Sequence, residues 1–174
     1  MKESNRQFFR PGPNGDIQLK ETLAALLVGL SISPQPLWLV SPWVSDFDLL
    51  DNRNGDWGNV NPSWGNRMVT FSELLVLAVR SGCELNLVTN TDEMNIRFYE
   101  KVKNSLGEND SFVWDSFETL HTKGLLSNSF FLSGSMNFTY SGTNRNDEQI
   151  QLTDNPDQLL EVRLEFQERY GRDD

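Results

Sequence analysis

The chain of 174 residues holds a single cysteine and a single histidine. Cys83 alone cannot close an internal disulfide, and a cysteine-based zinc cluster is excluded. With one imidazole to spare, a transition metal would have to rest on carboxylates. Such sparing use of cysteine suits the reducing cytoplasm. Long apolar runs are also missing. The longest, Leu23 to Leu30, falls far short of the roughly 20 residues that span a bilayer. The first residues, MKESNRQFFRPGPNGD, lack the apolar core of a secretory signal. The expectation is a soluble, untargeted, cytoplasmic protein with no membrane partner. Positive charge is scarce as well: 15 Lys and Arg stand against 25 Asp and Glu, a net charge of −10. An acidic protein repels nucleic acid at a distance. Any phosphate-binding role must therefore depend on a local positive site.

What is present fits one folded unit. Splitting 174 residues would leave two marginal cores, so one domain is expected over 1–174, with residues 1–15 poorly ordered. Asp16 can cap a helix over Ile17 to Ser31 with Ile17, Leu23, Leu26, Leu27 and Leu30 on its apolar face, ended by Pro34 and Pro36. LWLVSPWVS (37–45) reads as a buried strand entering a turn. Residues 51–66 are loop by composition. Met68 to Ser81 is helical in period, and Gly82 stops it. Residues 83–90 form a second buried strand. Thr91 or Asp92 caps a helix from about Glu93 to Leu106, stopped by Gly107. Strands follow at 111–117, 120–126, 129–135 and 148–154, with a tight turn at Ser127-Asn128. A last helix runs from Asp157 to Tyr170, with Leu159, Leu160, Val162, Phe166 and Tyr170 on its buried face. This alternation predicts an α/β fold, a mixed β-sheet flanked by helices on both faces. No internal repeat is visible.

The stretch HTKGLLSNSFFLSGSMNFT (121–139) carries the chemistry. On a strand, His121 and Lys123 point to the same face. A lone histidine is usually structural. A lysine beside it on an inward face is costly unless an anion is there. Gly134, Ser135 and Asn137 follow at the end of the next strand and can donate hydrogen bonds to phosphate oxygens. Glu148 opens the strand after that, where a carboxylate can fix a histidine tautomer.

His121-x-Lys123, Gly134-Ser135-x-Asn137 and Glu148 resemble the HKD motif of the phospholipase D superfamily, in its small single-motif bacterial endonuclease branch. The eleven-residue step from Asn137 to Glu148 is similar too, and the likeness in order of elements extends over most of the chain. Two departures stand out. The family aspartate five places after the lysine is Asn128 here, and the hairpin before Gly134 is about one residue shorter than usual. The resemblance implies a phospholipase-D-like fold and metal-independent phosphodiester hydrolysis with no cofactor. Family enzymes set two motifs face to face: one histidine attacks phosphorus, the other protonates the leaving oxygen and then activates water. One histidine and no repeat then imply a homodimer with the site on its two-fold axis. His121 would take either role, Lys123, Asn137 and Ser135 would hold the non-bridging oxygens, and Glu148 would orient a histidine. Similar small proteins occur as bacterial nucleases and in DNA-defence or DNA-modification gene clusters.

Other readings stay open. Nucleic acid is the expected substrate, delivered by a protein partner or encountered as short or single-stranded material. A hydrolase of lipid or other phosphodiesters is a second reading. A catalytically weak or inactive nucleic-acid-binding or assembly module with the same fold is a third. Ser41 and Trp43 lie at the carboxyl end of a strand, where open α/β sheets bind ligands, and are candidates for substrate binding; a plain turn with a buried tryptophan is the alternative. Trp57 and Trp64 either stack on bases or fasten their own loop. Cys83 reads as a small buried residue.

Overall fold

A computed structural model describes residues 5–9, 15–144 and 149–171. Its centre is a seven-stranded mixed sheet in the order β1-β9-β8-β7-β2-β5-β6. The strands are β1 (Asn5–Phe9), β2 (Leu37–Val40), β5 (Leu85–Thr89), β6 (Phe112–Ser116), β7 (Gly124–Leu126), β8 (Phe131–Gly134) and β9 (Gln149–Thr153). Strands β2, β5 and β6 run parallel, and β7, β8, β9 and β1 continue the sheet by antiparallel pairing. A small separate hairpin joins β3 (Asp48–Asp51) to β4 (Met68–Thr70). The helices are α1 (Gly15–Ile32), α2 (Phe71–Arg80), α3 (Glu93–Leu106), α4 (Tyr140–Asn144) and α5 (Pro156–Tyr170).

Alternation along the strands divides the interior in two. Leu37 and Leu39 of β2, with Leu85 and Leu87 of β5, face a core shared with α1, α2 and α3. Trp38 and Val40 point the other way, into a smaller core with Leu159, Phe166 and Tyr170 of α5. Helices therefore cover both faces, and each fully buried leucine contributes ~2 kcal/mol. Helix α3 starts where Asp92 accepts a hydrogen bond from the Met94 amide at 2.8 Å. It ends at Gly107, whose φ of 73° lies in the left-handed region that favours glycine.

Asn5–Phe9 pair with β9 as an edge strand, through backbone groups that a polar composition does not reveal. Several expectations need correction. Ile17 is exposed: the buried stripe of α1 is Leu19, Leu23, Leu27 and Leu30, and Ile17 stands about 200° round the helix from Leu19. Leu160 is exposed because it lies about 100° from the Leu159 line. Met68–Thr70 are a strand, and the helix begins only at Phe71. The strand expected over 120–126 shrinks to Gly124–Leu126, since β2 itself stops at Val40 and offers no partner beyond Gly124. Helix α4 was not foreseen.

The aromatic loop fastens itself. Trp64 is buried and Trp57 packs against the larger core. Cys83 is buried with its Sγ 3.7 Å from the Leu30 carbonyl, and burial pushes its thiol pKa up. Among the described residues, no helix is long and apolar enough to cross a membrane.

Candidate active site

The topology gathers the chemistry at one edge of the sheet. The carboxyl ends of β2, β5 and β6 point there. Antiparallel pairing brings the amino end of β7, the carboxyl end of β8 and the amino end of β9 to the same edge. Residues 41–45, 90–92, 121–123 and 135–138 therefore meet along it. Glu148 lies outside the described residues.

His121 and Lys123 precede β7 rather than sitting on it, so neither lies on an inward strand face. His121 is exposed. Its neighbours are held: Leu120 is buried in the α5-side core, and the Thr122 hydroxyl accepts from the Tyr170 hydroxyl at 3.1 Å. The end of α5 thus fixes the segment while the imidazole is offered to solvent. Lys123 Nζ donates to the His121 carbonyl at 2.9 Å, and the residue lines a small crevice with Ser133, Gly134, Met136 and Phe138. A cationic head kept at this rim is available to a phosphate without the cost of full burial.

The loop after β8 is built for close approach. Gly134 has φ 152°, and a Cβ there would lie 2.0 Å from the Gln149 carbonyl oxygen. No larger residue fits. Next, the Ser135 amide donates to that same carbonyl at 3.0 Å, and the Gln149 amide donates to Ser135 Oγ at 3.1 Å. Asn137 is gripped from two sides. Ser41 Oγ has one proton, given chiefly to the Trp43 carbonyl at 2.9 Å, with Asn137 Oδ1 a longer alternative at 3.4 Å. On the other side, a Cβ on Gly142 would come within 2.1 Å of the Asn137 carbonyl, so only glycine lets α4 approach.

Ser41 is fully buried, with its Oγ between the Trp43 carbonyl and Asn137 Oδ1. Trp43 is 42% exposed, which rules out the buried-tryptophan turn. Val44 bridges Phe138 in parallel, the Ser45 amide donates to the Phe138 carbonyl at 3.0 Å, and the Tyr140 amide donates to Ser45 Oγ at 3.1 Å. Residues 41–45 and 137–140 are therefore one ladder.

Asn95 is the organiser that sequence reasoning missed. It is fully buried. Its Oδ1 accepts from the Val44 amide at 2.7 Å, and its Nδ2 faces the Pro42 carbonyl at 2.8 Å and Asn90 Oδ1 at 2.6 Å. One amide thus ties the loop after β2 to the loop after β5. The available signal was a polar residue in the apolar stripe of α3, Asn95-Phe98-Val102. Asp46 adds a second brace, accepting from the Ser72 amide and hydroxyl at 2.9 and 2.8 Å and pairing with Lys101. Farther back, the Arg67 guanidinium lowers the pKa of Glu73, whose carboxylate also accepts from the Thr70 amide at the start of α2. Asn128 sits at the opposite end of β7, ~16 Å of strand from Lys123. Among the described residues, no group of three or more His, Cys, Asp or Glu side chains could hold a metal ion.

The family model described as "Cardiolipin synthase, PLD-like domain" matches residues 63–170, the greater part of the chain. The chain belongs to the PLD-like domain family. This PLD-like chain also aligns along nearly its whole length with solved structures. Nuc from Salmonella typhimurium, a phospholipase D family member, superposes with TM-score 0.60 at 17% identity over 97% of this chain and 95% of that one. NucT from Helicobacter pylori gives 0.60 at 12% identity, over 96% and 95%. A polyphosphate kinase from Porphyromonas gingivalis gives 0.63 at 17% identity, over 98% of this chain but 26% of the kinase. At such identities the likeness is one of fold. No curated protein matches the sequence.

Proposed function

We propose that this PLD-like protein is a metal-independent phosphodiesterase, a nuclease acting through a phosphohistidine intermediate at a site shared by two copies of the chain. The observation that carries the reading is the exposed His121 at the sheet edge, in a segment fastened by Leu120 and by the Tyr170–Thr122 hydrogen bond. Membership of the PLD-like family and the near-complete overlay on Nuc and NucT support it.

In the proposed reaction, an imidazole nitrogen of one His121 attacks phosphorus and the bond to the leaving oxygen breaks. The second His121 gives that oxygen its proton. Water then attacks the phosphohistidine, losing its proton to the second imidazole, and the first histidine is released with the phosphate monoester. Splitting one displacement in two lowers each barrier. Two Lys123 ammonium groups and the Asn137 amides bear the charge on the non-bridging oxygens, each such donor worth ~10²–10³ in rate. Ser135 either donates there or sets the loop through Gln149, and Glu148 orients a histidine. Ser41 holds Asn137, and Trp43 contacts substrate. This local positive site works against a net charge of −10, so a protein partner that delivers nucleic acid fits the scheme.

The test is hydrolysis of DNA, RNA and bis(p-nitrophenyl) phosphate in EDTA by the full chain and by His121→Ala. Turnover that survives chelation and vanishes in the variant is expected. A preference for lipid or other small esters would redirect the substrate class. Silence on every substrate, with a stable dimer, would leave a binding or assembly module.

A further inference from the structure

We propose that Trp43 and Tyr140 form a base-stacking platform that restricts this site to single-stranded nucleic acid. The inference rests on the phosphodiesterase reading and names the substrate class of that same site. Eight large hydrophobic residues are exposed among those described, and only two, Trp43 at 42% and Tyr140 at 48%, are aromatic. Trp38 and Trp64 are buried, and Trp57 and Trp114 pack against the larger core. The two exposed rings are not scattered. Both are carried by the ladder that ends at Asn137, with Trp43 one residue before the Val44–Phe138 bridge and Tyr140 tied through its amide to Ser45. Trp43 and Ser45 are two residues apart, ~7 Å of strand, so the rings are mounted within reach of adjacent nucleotides.

Their backbones are already fixed, Val44 by buried Asn95 and Tyr140 by Ser45. Stacking a base on them orders little that was free, and each base–aromatic stack contributes ~1–3 kcal/mol. Duplex bases have no free π-face, and a duplex brings one negative charge per ~1.7 Å of axis. The groove beside Ser45 opposes that charge. It is walled by Asp46, Asp92 and Glu93, while its cations Lys101 and Arg97 are paired with Asp46 and Glu93. A complementary strand would meet carboxylates there, whereas one strand can rely on its bases.

The test compares a fluorescein-labelled dT20 strand, the dT20·dA20 duplex and bis(p-nitrophenyl) phosphate as substrates in EDTA, using the full chain, Trp43→Ala, Trp43→Phe and Tyr140→Ala. Single strand should be cleaved at least ~10-fold faster than duplex. The alanine variants should raise KM for the strand by ~5–100-fold, several-fold more than any effect on the small ester, and Trp43→Phe should recover most of that loss. Equal losses on strand and ester, or duplex cleaved as fast as strand, would overturn the proposal. So would a sedimentation shift of Trp43→Ala to monomer, which would assign the rings to subunit contact. If the wild-type chain cleaves nothing, the phosphodiesterase reading fails, and fluorescence anisotropy of His121→Ala decides the stacking by itself. Binding of dT20 tighter than duplex, and lost on adding Trp43→Ala, supports it. Equal binding or none overturns it.

Discussion

The two ends of the β7–β8 hairpin are fastened differently. At the turn end, the Ser127 amide donates to the Phe130 carbonyl at 2.9 Å, and Ser127 Oγ accepts from the Ser129 and Phe130 amides at 3.1 and 3.3 Å. All three contacts fall within three residues. One longer tie at this end, Ser129 Oγ donating to Gln35 Oε1 at 3.0 Å, reaches across 94 residues, but the turn's own backbone is closed locally. At the site end, Thr122 is held by Tyr170, Phe138 by Ser41 and Tyr140 by Ser45, across 48 to 97 residues of sequence. The site end exists only once α5, α3 and the loop after β2 have docked, so distant substitutions there should act on chemistry, and substitutions at the turn should not.

The largest expected effect lies at the site end. His121→Ala should reduce phosphodiester hydrolysis by ~10⁴-fold or more, while the melting temperature barely moves because the side chain is exposed. A melting shift as large as that of a core substitution would mean that the histidine is structural. Lys123→Ala and Asn137→Ala should each cost ~10²–10³ in kcat, with the small ester and the nucleic acid affected alike. An effect confined to KM would assign these groups to ground-state binding only.

The contrast sharpens at Asn95, which touches no substrate in this account. Asn95→Ala leaves the Val44 amide without its buried acceptor. Denaturant unfolding should report a loss of ~1–3 kcal/mol, and hydrolysis should fall as the ladder loosens. Combined with Asn137→Ala, the activity losses should be less than additive, because one acts through the other. Strict additivity would separate Asn95 from the site. The smallest effect belongs to the turn. Asn128→Asp restores the residue type of the resembling motif, yet ~16 Å of strand separates it from Lys123. It should change kcat/KM by less than ~3-fold, the scale of an exposed substitution. A large gain would show that the two ends communicate.

This contrast also explains what could be read from the sequence. Helix α3 was legible because its signals are local: of the two expected caps, Thr91 and Asp92, Asp92 caps it, and Gly107 ends it. The turn at Ser127-Asn128 was legible for the same reason. The motif residues were legible as types and spacings, and the topology brings His121, Lys123, Ser135 and Asn137 to one sheet edge. Their local geometry was not. Alternation in LHTKGLL mimics a strand, but β2 ends at Val40, so pairing stops at Gly124 and the His121–Lys123 segment leaves the sheet. Asn95 and Tyr170 act across 51 and 48 residues, to Val44 and Thr122, and Gly142 acts by the side chain it lacks. No periodicity in a single sequence encodes such contacts.

The central claim is that one phosphorus atom is worked on by imidazoles from two chains. Subunit mixing tests it most directly. Wild-type chains are refolded together with a growing excess of His121→Ala chains, and hydrolysis is measured per wild-type chain. If each site needs both copies, that activity falls toward zero as wild-type chains are driven into mixed pairs. If activity per wild-type chain stays constant at any excess, although mixed pairs have formed, each chain holds a complete site and the shared-site account is wrong.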